Sequence, residues 1–77
     1  MNTMNIHDFL KNVETRNSVD IRSSVKEAYP HLITIVGFRN WLECTWCSYD
    51  GYPDWKDMES LRESLEVAEE QWKTIHI

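Results

Sequence analysis

The stretch Trp55–Lys73, WKDMESLRESLEVAEEQWK, constrains this chain more than any other. Wound at about 100° per residue, it gathers Trp55, Met58, Leu61, Leu65, Ala68 and Trp72 on one side. Glu59, Glu63, Glu66 and Glu70 gather roughly 145° away by the same winding. Asp54, after Tyr52-Pro53, is placed to cap such a helix, and Asp57 adds negative charge in a first turn where the dipole favours it. The pattern predicts a helix over about 54–73 with an apolar stripe that needs a cover and an acidic stripe that points elsewhere.

The cover suggested by the sequence is a sheet. His31–Phe38, HLITIVGF, is β-branched and apolar, and WLECTWCSY continues in that character beyond Arg39-Asn40. Taking Arg39-Asn40 as a two-residue turn gives an antiparallel hairpin over about 31–49 with Phe38 opposite Trp41. One face then carries Ile33, Ile35, Leu42, Cys44 and Trp46, which the long helix would cover. The second face carries Leu32, Val36, Phe38, Trp41 and Cys47, diluted by Thr34, Glu43 and Thr45, and is too apolar to stand in water. Either the N-terminal helices or a partner must cover it. Trp46, Trp55 and Trp72 read as core, and Trp41 at the hairpin tip as partly exposed.

Upstream, Ile6, Phe9, Leu10 and Val13 fall at i, i+3, i+4, i+7 behind Asn5, a short amphipathic helix that ends near residues 15–18. Val19 and Ile21 alternate like a strand, while Ser24-Val-Lys-Glu27 resembles a capping box. A helix over about 19–28, stopped by Pro30, is the reading taken. Thr74–Ile77 alternates again and suits a short strand beside the hairpin. The expected fold is a single α+β domain over 1–77: one or two short N-terminal helices, the hairpin, and the long C-terminal helix packed on it.

Size and charge narrow the function. A chain of 77 residues buries only about 60–65% of its unfolded surface, so its four Trp, three Tyr and two Phe have to supply the bulk of a core. No apolar run approaches the roughly 18–20 residues of a membrane span, and the first residues lack the pattern of a signal peptide. Two Cys in that context point to reduced thiols and the cytoplasm. Residues 1–42 carry a net charge of +1 and residues 43–77 a net charge of −6. A phosphate backbone is therefore a poor partner for the C-terminal half, and a basic surface a good one.

Chemistry-bearing motifs are few. Cys44-Thr-Trp-Cys47 has the spacing of half a zinc knuckle, but on a strand the two thiols would face opposite ways, and no second CxxC follows. His7, His31 and His76 are widely separated, with no nucleophile motif, P-loop or HExxH around them. The expectation is no enzyme, no cofactor and no metal.

The acidic stripe and the hairpin tip remain. Glu59, Glu63, Glu66, Glu70, Asp50 and Asp54, with Trp41 and Phe38, form the candidate partner-binding set. Arg62 can reach Glu59 and Glu66, and Glu69 can reach Lys73, which offsets part of the like-charge repulsion. The function expected is a small acidic protein-binding module, an inhibitor or antidote, that docks a protein with a basic surface such as a nucleic-acid-binding protein. Direct contact with nucleic acid or membrane is not expected. A DNA reader with the hairpin as a wing is disfavoured because Arg39 is the only Lys or Arg in residues 31–55. The second reading is a structural module that homodimerises through the second sheet face. In its compact, acidic, aromatic-rich style the chain resembles small phage or mobile-element proteins that bind and inhibit a host factor, a likeness that covers no motif.

Overall fold

The computed structural model describes residues 5–46 and 51–75, and among them there is no strand. Four α-helices follow one another: α1 (Ile6–Val13), α2 (Ser18–Ala28), α3 (Val36–Thr45) and α4 (Trp55–Ile75), with a 3₁₀ turn at Leu32–Thr34 between α2 and α3. The expected α+β fold and its hairpin over 31–49 are thus overturned. The segment read as two strands folds as the 3₁₀ turn and α3.

The reason lies in competing periods. Phe38, Trp41, Leu42 and Trp46 stand at i, i+3, i+4 and i+8, and Phe38, Leu42 and Trp46 are all buried. That helical spacing places three large side chains in one core, and burial outweighs the β-propensity of Ile33, Thr34, Ile35 and Val36. Arg39-Asn40, read as a hairpin tip, lies inside α3. No described non-glycine residue has the positive φ that a type I′ turn would need. Ile35 ends the 3₁₀ turn by donating to the Leu32 carbonyl at 3.0 Å, and its own carbonyl accepts from Arg39 to begin α3.

The remaining helices start and stop for local reasons. The Asn5 side chain accepts from the His7 amide at 2.7 Å and the Asn17 side chain from the Asp20 amide at 2.8 Å, capping α1 and α2. Tyr29, ahead of Pro30, leaves helical geometry and closes α2, as the proline requires. Ser24 opens no turn of its own. It sits inside α2, where its hydroxyl donates to the Asp20 carbonyl. At α4, Asp57 N–H donates to the Asp54 carboxylate at 2.9 Å and Asp54 N–H to that of Asp57 at 3.1 Å, a reciprocal cap that satisfies two orphan donors. Thr74 and Ile75 continue α4 rather than form a strand. His76 and Ile77 lie outside the described residues.

One core holds the helices together. Phe9 and Val13 of α1, Ile21 and Val25 of α2, Tyr29, Leu32, and Phe38, Leu42 and Trp46 meet Leu61, Leu65 and Ala68 of α4. The start of α1 lies beside Glu66–Lys73 and its end beside Pro53–Met58, so α1 runs antiparallel to α4. The α2–α3 pair is held by Glu43, which takes Lys26 and, at 3.6 Å, Arg22. Arg22 also donates to the Trp46 carbonyl at 3.0 Å, satisfying an acceptor at the end of α3.

The face of α4 is as expected at Leu61, Leu65 and Ala68, which are buried, and at Met58 and Trp72, which pack at the edge. Trp55 departs from expectation: it is 73% exposed. On the helical wheel it stands about 100° from the centre of the buried stripe, too far round to reach the core. Leu65→Ala should therefore cost about 2–5 kcal/mol in urea unfolding, whereas Trp55→Ser should stay within about 0.5 kcal/mol. Equal losses would contradict this placement of α4.

Candidate partner-binding groove

The acidic and aromatic candidates sit on helices, so their positions follow from the wheel of α4 and the seat of α3. Ser64, Val67, Ala68, Gln71, Thr74 and Ile75 stand at i, i+3, i+4, i+7, i+10 and i+11, a second stripe beside the buried one. It mixes apolar Val67, Ala68 and Ile75 with uncharged Ser64, Gln71 and Thr74, and Val67 is 58% exposed. Along the inner end of this stripe α3 presents Gly37, Phe38 and Trp41, and together they line an open groove of about 380 Å³ with Glu63 on its edge. A second hollow, lined by Glu66, Val67, Glu70, Gln71, Thr74 and Ile75, shares Val67 and Gln71 with the first. The first lies between α3 and α4, and the second lies on α4 alone.

Trp41 and Phe38 do meet, though within one helix rather than across a hairpin. Their rings stack at 6.0 Å with 29° between planes, Phe38 buried and Trp41 half-buried. Three of the predicted acidic residues, Glu63, Glu66 and Glu70, edge these two hollows. Glu59 and Asp54 do not join them. They line the cleft between α1 and the start of α4, with Lys11, Trp55 and Arg62. Asp54 is engaged there as the helix cap. Asp50 lies outside the described residues. Val67 and Gln71 escaped the sequence reading, although the 64, 67, 68, 71 spacing was visible in it, and Ala68 was placed only in the buried stripe.

Charge along α4 is partly compensated. Arg62 bridges Glu59 at 2.5 Å and Glu66 at 3.0 Å, with Glu63 at 4.0 Å. The Glu59 hydrogen bond, with Glu66 adding, holds the Arg62 guanidinium more firmly protonated than usual. Glu69 does not turn to Lys73 as expected. It meets His31 Nε2 at 2.5 Å in a partly buried contact, and the Trp72 ring lies edge-on to the imidazole at 4.9 Å. His31 is thus a link between the 3₁₀ turn and α4, not the solvated start of a strand. Between α2 and α3 the Lys26 hydrogen bond lowers the Glu43 carboxyl below its ordinary value.

No group of three or more His, Cys, Asp or Glu able to hold a metal occurs among the described residues. Cys44 is exposed on α3, so the strand argument about the thiol pair no longer applies, and Cys47 lies outside the described residues. No helix among the described residues is long and apolar enough to cross a membrane. Comparison with protein-family models, curated proteins and solved structures gives no match.

One titration reports on the frame behind the groove. Burial, with the Glu69 carboxylate adding, pushes the Tyr29 phenol up to about 12. The folded phenol holds its proton more tightly than the unfolded one, whose value is 10.0. Its contribution is therefore complete below the unfolded value and lost as pH rises toward the folded one. Unfolding free energy should fall by about 2–3 kcal/mol across that window, and Tyr29→Phe should flatten this limb of the profile. A variant with the same alkaline limb as the parent would show that another group is responsible.

Proposed function

We propose that this chain is a small, acidic, non-enzymatic binding module that docks a basic protein surface in the α3–α4 groove and acts as an inhibitor or antidote by covering it. The observation that carries the reading is the meeting, on one face of α4, of an open apolar trough with an edge of three carboxylates. An apolar centre beside a charged rim is the anatomy of a binding patch, and aromatic side chains such as Trp41 are favoured anchors. The net charge of −6 over residues 43–77 extends the same field beyond the groove and would steer a basic partner toward it. The hairpin tip proposed from sequence has no place in this picture, and neither does a homodimer built on a second sheet face. Both required a sheet that the described residues do not form.

Replacing Glu63, Glu66 and Glu70 together with Gln keeps helix propensity nearly constant and relieves the Glu66/Glu70 repulsion, at the loss of the exposed Arg62 bridges. Stability should stay within about 1 kcal/mol of the parent. On immobilised protein in host-cell lysate, Lys- and Arg-rich proteins held by the parent should elute between low and physiological salt and should not be held by the triple variant. Retention of the same proteins by the variant with the same salt profile would refute the charge-docking reading.

A further inference from the structure

We infer that the occupant of the groove is an amphipathic, basic α-helix of about three turns, which lays its apolar stripe along α4 with its inner half against α3. This rests on the binding reading above and names the shape of the partner. Three features lead to it. The first is dimension: from Ser64 to Ile75 the two hollows run along α4 for about 17 Å at 1.5 Å per residue, the length of an 11- or 12-residue helix, walled by α3 as far as Gln71 and by α4 alone beyond it. The second is the kind of wall. Both sides near Phe38 and Val67 are helices whose backbone groups are bonded within themselves, so a partner strand finds no edge there to extend. A helix needs none, because it docks by side chains at i, i+3, i+4 and i+7.

The third feature is the combination of Gly37 with the one-sided charge. A Cβ at Gly37 would meet nothing within 4 Å, and its φ is not positive, so neither packing nor backbone requires glycine there. What its missing side chain does is widen the trough beside Phe38 and Trp41, where the backbone of a docked helix could come close. Glu63, Glu66 and Glu70 all stand on the α4 side, opposite the aromatic α3 side. The matching helix is therefore basic along one flank only, with its apolar stripe turned to Phe38, Trp41 and Val67.

The test uses the full chain and three synthetic peptides of about 14 residues, acetylated and amidated. The first is Leu/Lys, with Leu at i, i+3, i+4, i+7 and Lys along one flank. The second has the same composition with the Leu positions scrambled, and the third has Glu for Lys. Expected is binding of the first peptide with a gain of helical circular dichroism, and amide shifts centred on Gly37, Val67, Ala68 and Gln71. The scrambled peptide should bind at least about tenfold more weakly, and the Glu peptide not at all. Gly37→Leu should fill the trough and weaken the first peptide at least about tenfold while keeping the parental melting temperature. Should that variant fail to fold, Val67→Lys, at an exposed position, makes the same block by charge. Equal binding of the amphipathic and scrambled peptides, without helix gain, would overturn the helix while leaving the basic-surface reading standing. Absence of binding by both Lys peptides would overturn the two together, as would shifts centred on the α1–α4 cleft instead.

Discussion

Burial of Leu61, Leu65 and Ala68 is the constraint on which the rest of this structure depends. The three helices packed around that stripe have 8, 11 and 10 residues, and helices of such length are marginal in water by themselves. Each is therefore held by what it buries against α4 or against a neighbour that touches it. The long helix needs them equally, since its apolar stripe would otherwise lie in solvent. Asp54 and Asp57 determine where α4 begins, and so where its stripe stands relative to the incoming chain. A further tie comes from Ser18, whose amide donates to the Gly51 carbonyl at 2.8 Å, joining the start of α2 to the segment before α4.

Polar contacts orient what burial assembles. Lys26, Arg22 and Glu43 are all partly exposed, and pairs of that kind contribute on the order of 0–1 kcal/mol. A single buried leucine outweighs them severalfold. Their effect is angular: Arg22 holds both Glu43 and the Trp46 carbonyl, so α3 is seated against α2 at its far end. His31 and Glu69 do the same between the 3₁₀ turn and α4. With α3 seated by these ties and by Phe38 and Leu42, its Gly37–Trp41 side lies along α4 and leaves the groove between them. The groove is what remains after α4 has given one stripe to the core and α3 has covered only the inner end of the next.

Much of the chain was legible from local pattern. The first helix behind Asn5, the helix read over about 19–28 and the one read over about 54–73, the Asn5 and Asp54 caps and the stop at Pro30 all follow from short-range chemistry, whereas the strand read from Thr74 onward does not form at Thr74 and Ile75. Residues 31–46 were misread because two periods overlap there. Ile33, Thr34, Ile35 and Val36 suit a strand, while Phe38, Trp41, Leu42 and Trp46 suit a helix. Reading the first group forward into the second made Arg39-Asn40 a turn. Lacking glycine and positive φ, that pair was a poor hairpin turn, and the aromatic spacing was the better guide. For the candidate site, the sequence grouped Trp41, Phe38, Glu63, Glu66 and Glu70 with Glu59, Asp54 and Asp50, and put the two aromatics on a hairpin tip rather than on one helix. The stripe from Ser64 to Ile75 was passed over because its Ser, Gln and Thr dilute the apolar signal.

Sequence alone determined the elements whose signals lie within one or two turns of chain: α1, α2 and α4, the caps of α1 and α4, the apolar and acidic stripes of α4 and the charge imbalance between the halves. Tertiary structure alone decided that residues 36–45 are helical, that Trp55 stands outside the core, that Glu69 meets His31, and that Glu59 and Asp54 line the α1–α4 cleft rather than the groove. The physical reason is the same in each case. A wheel gives the angle between side chains on one helix, but which angle is buried depends on where the neighbouring helices lie. Their positions are set by the summed burial of residues far apart in sequence, Phe9 with Tyr29 or Leu42 with Leu61.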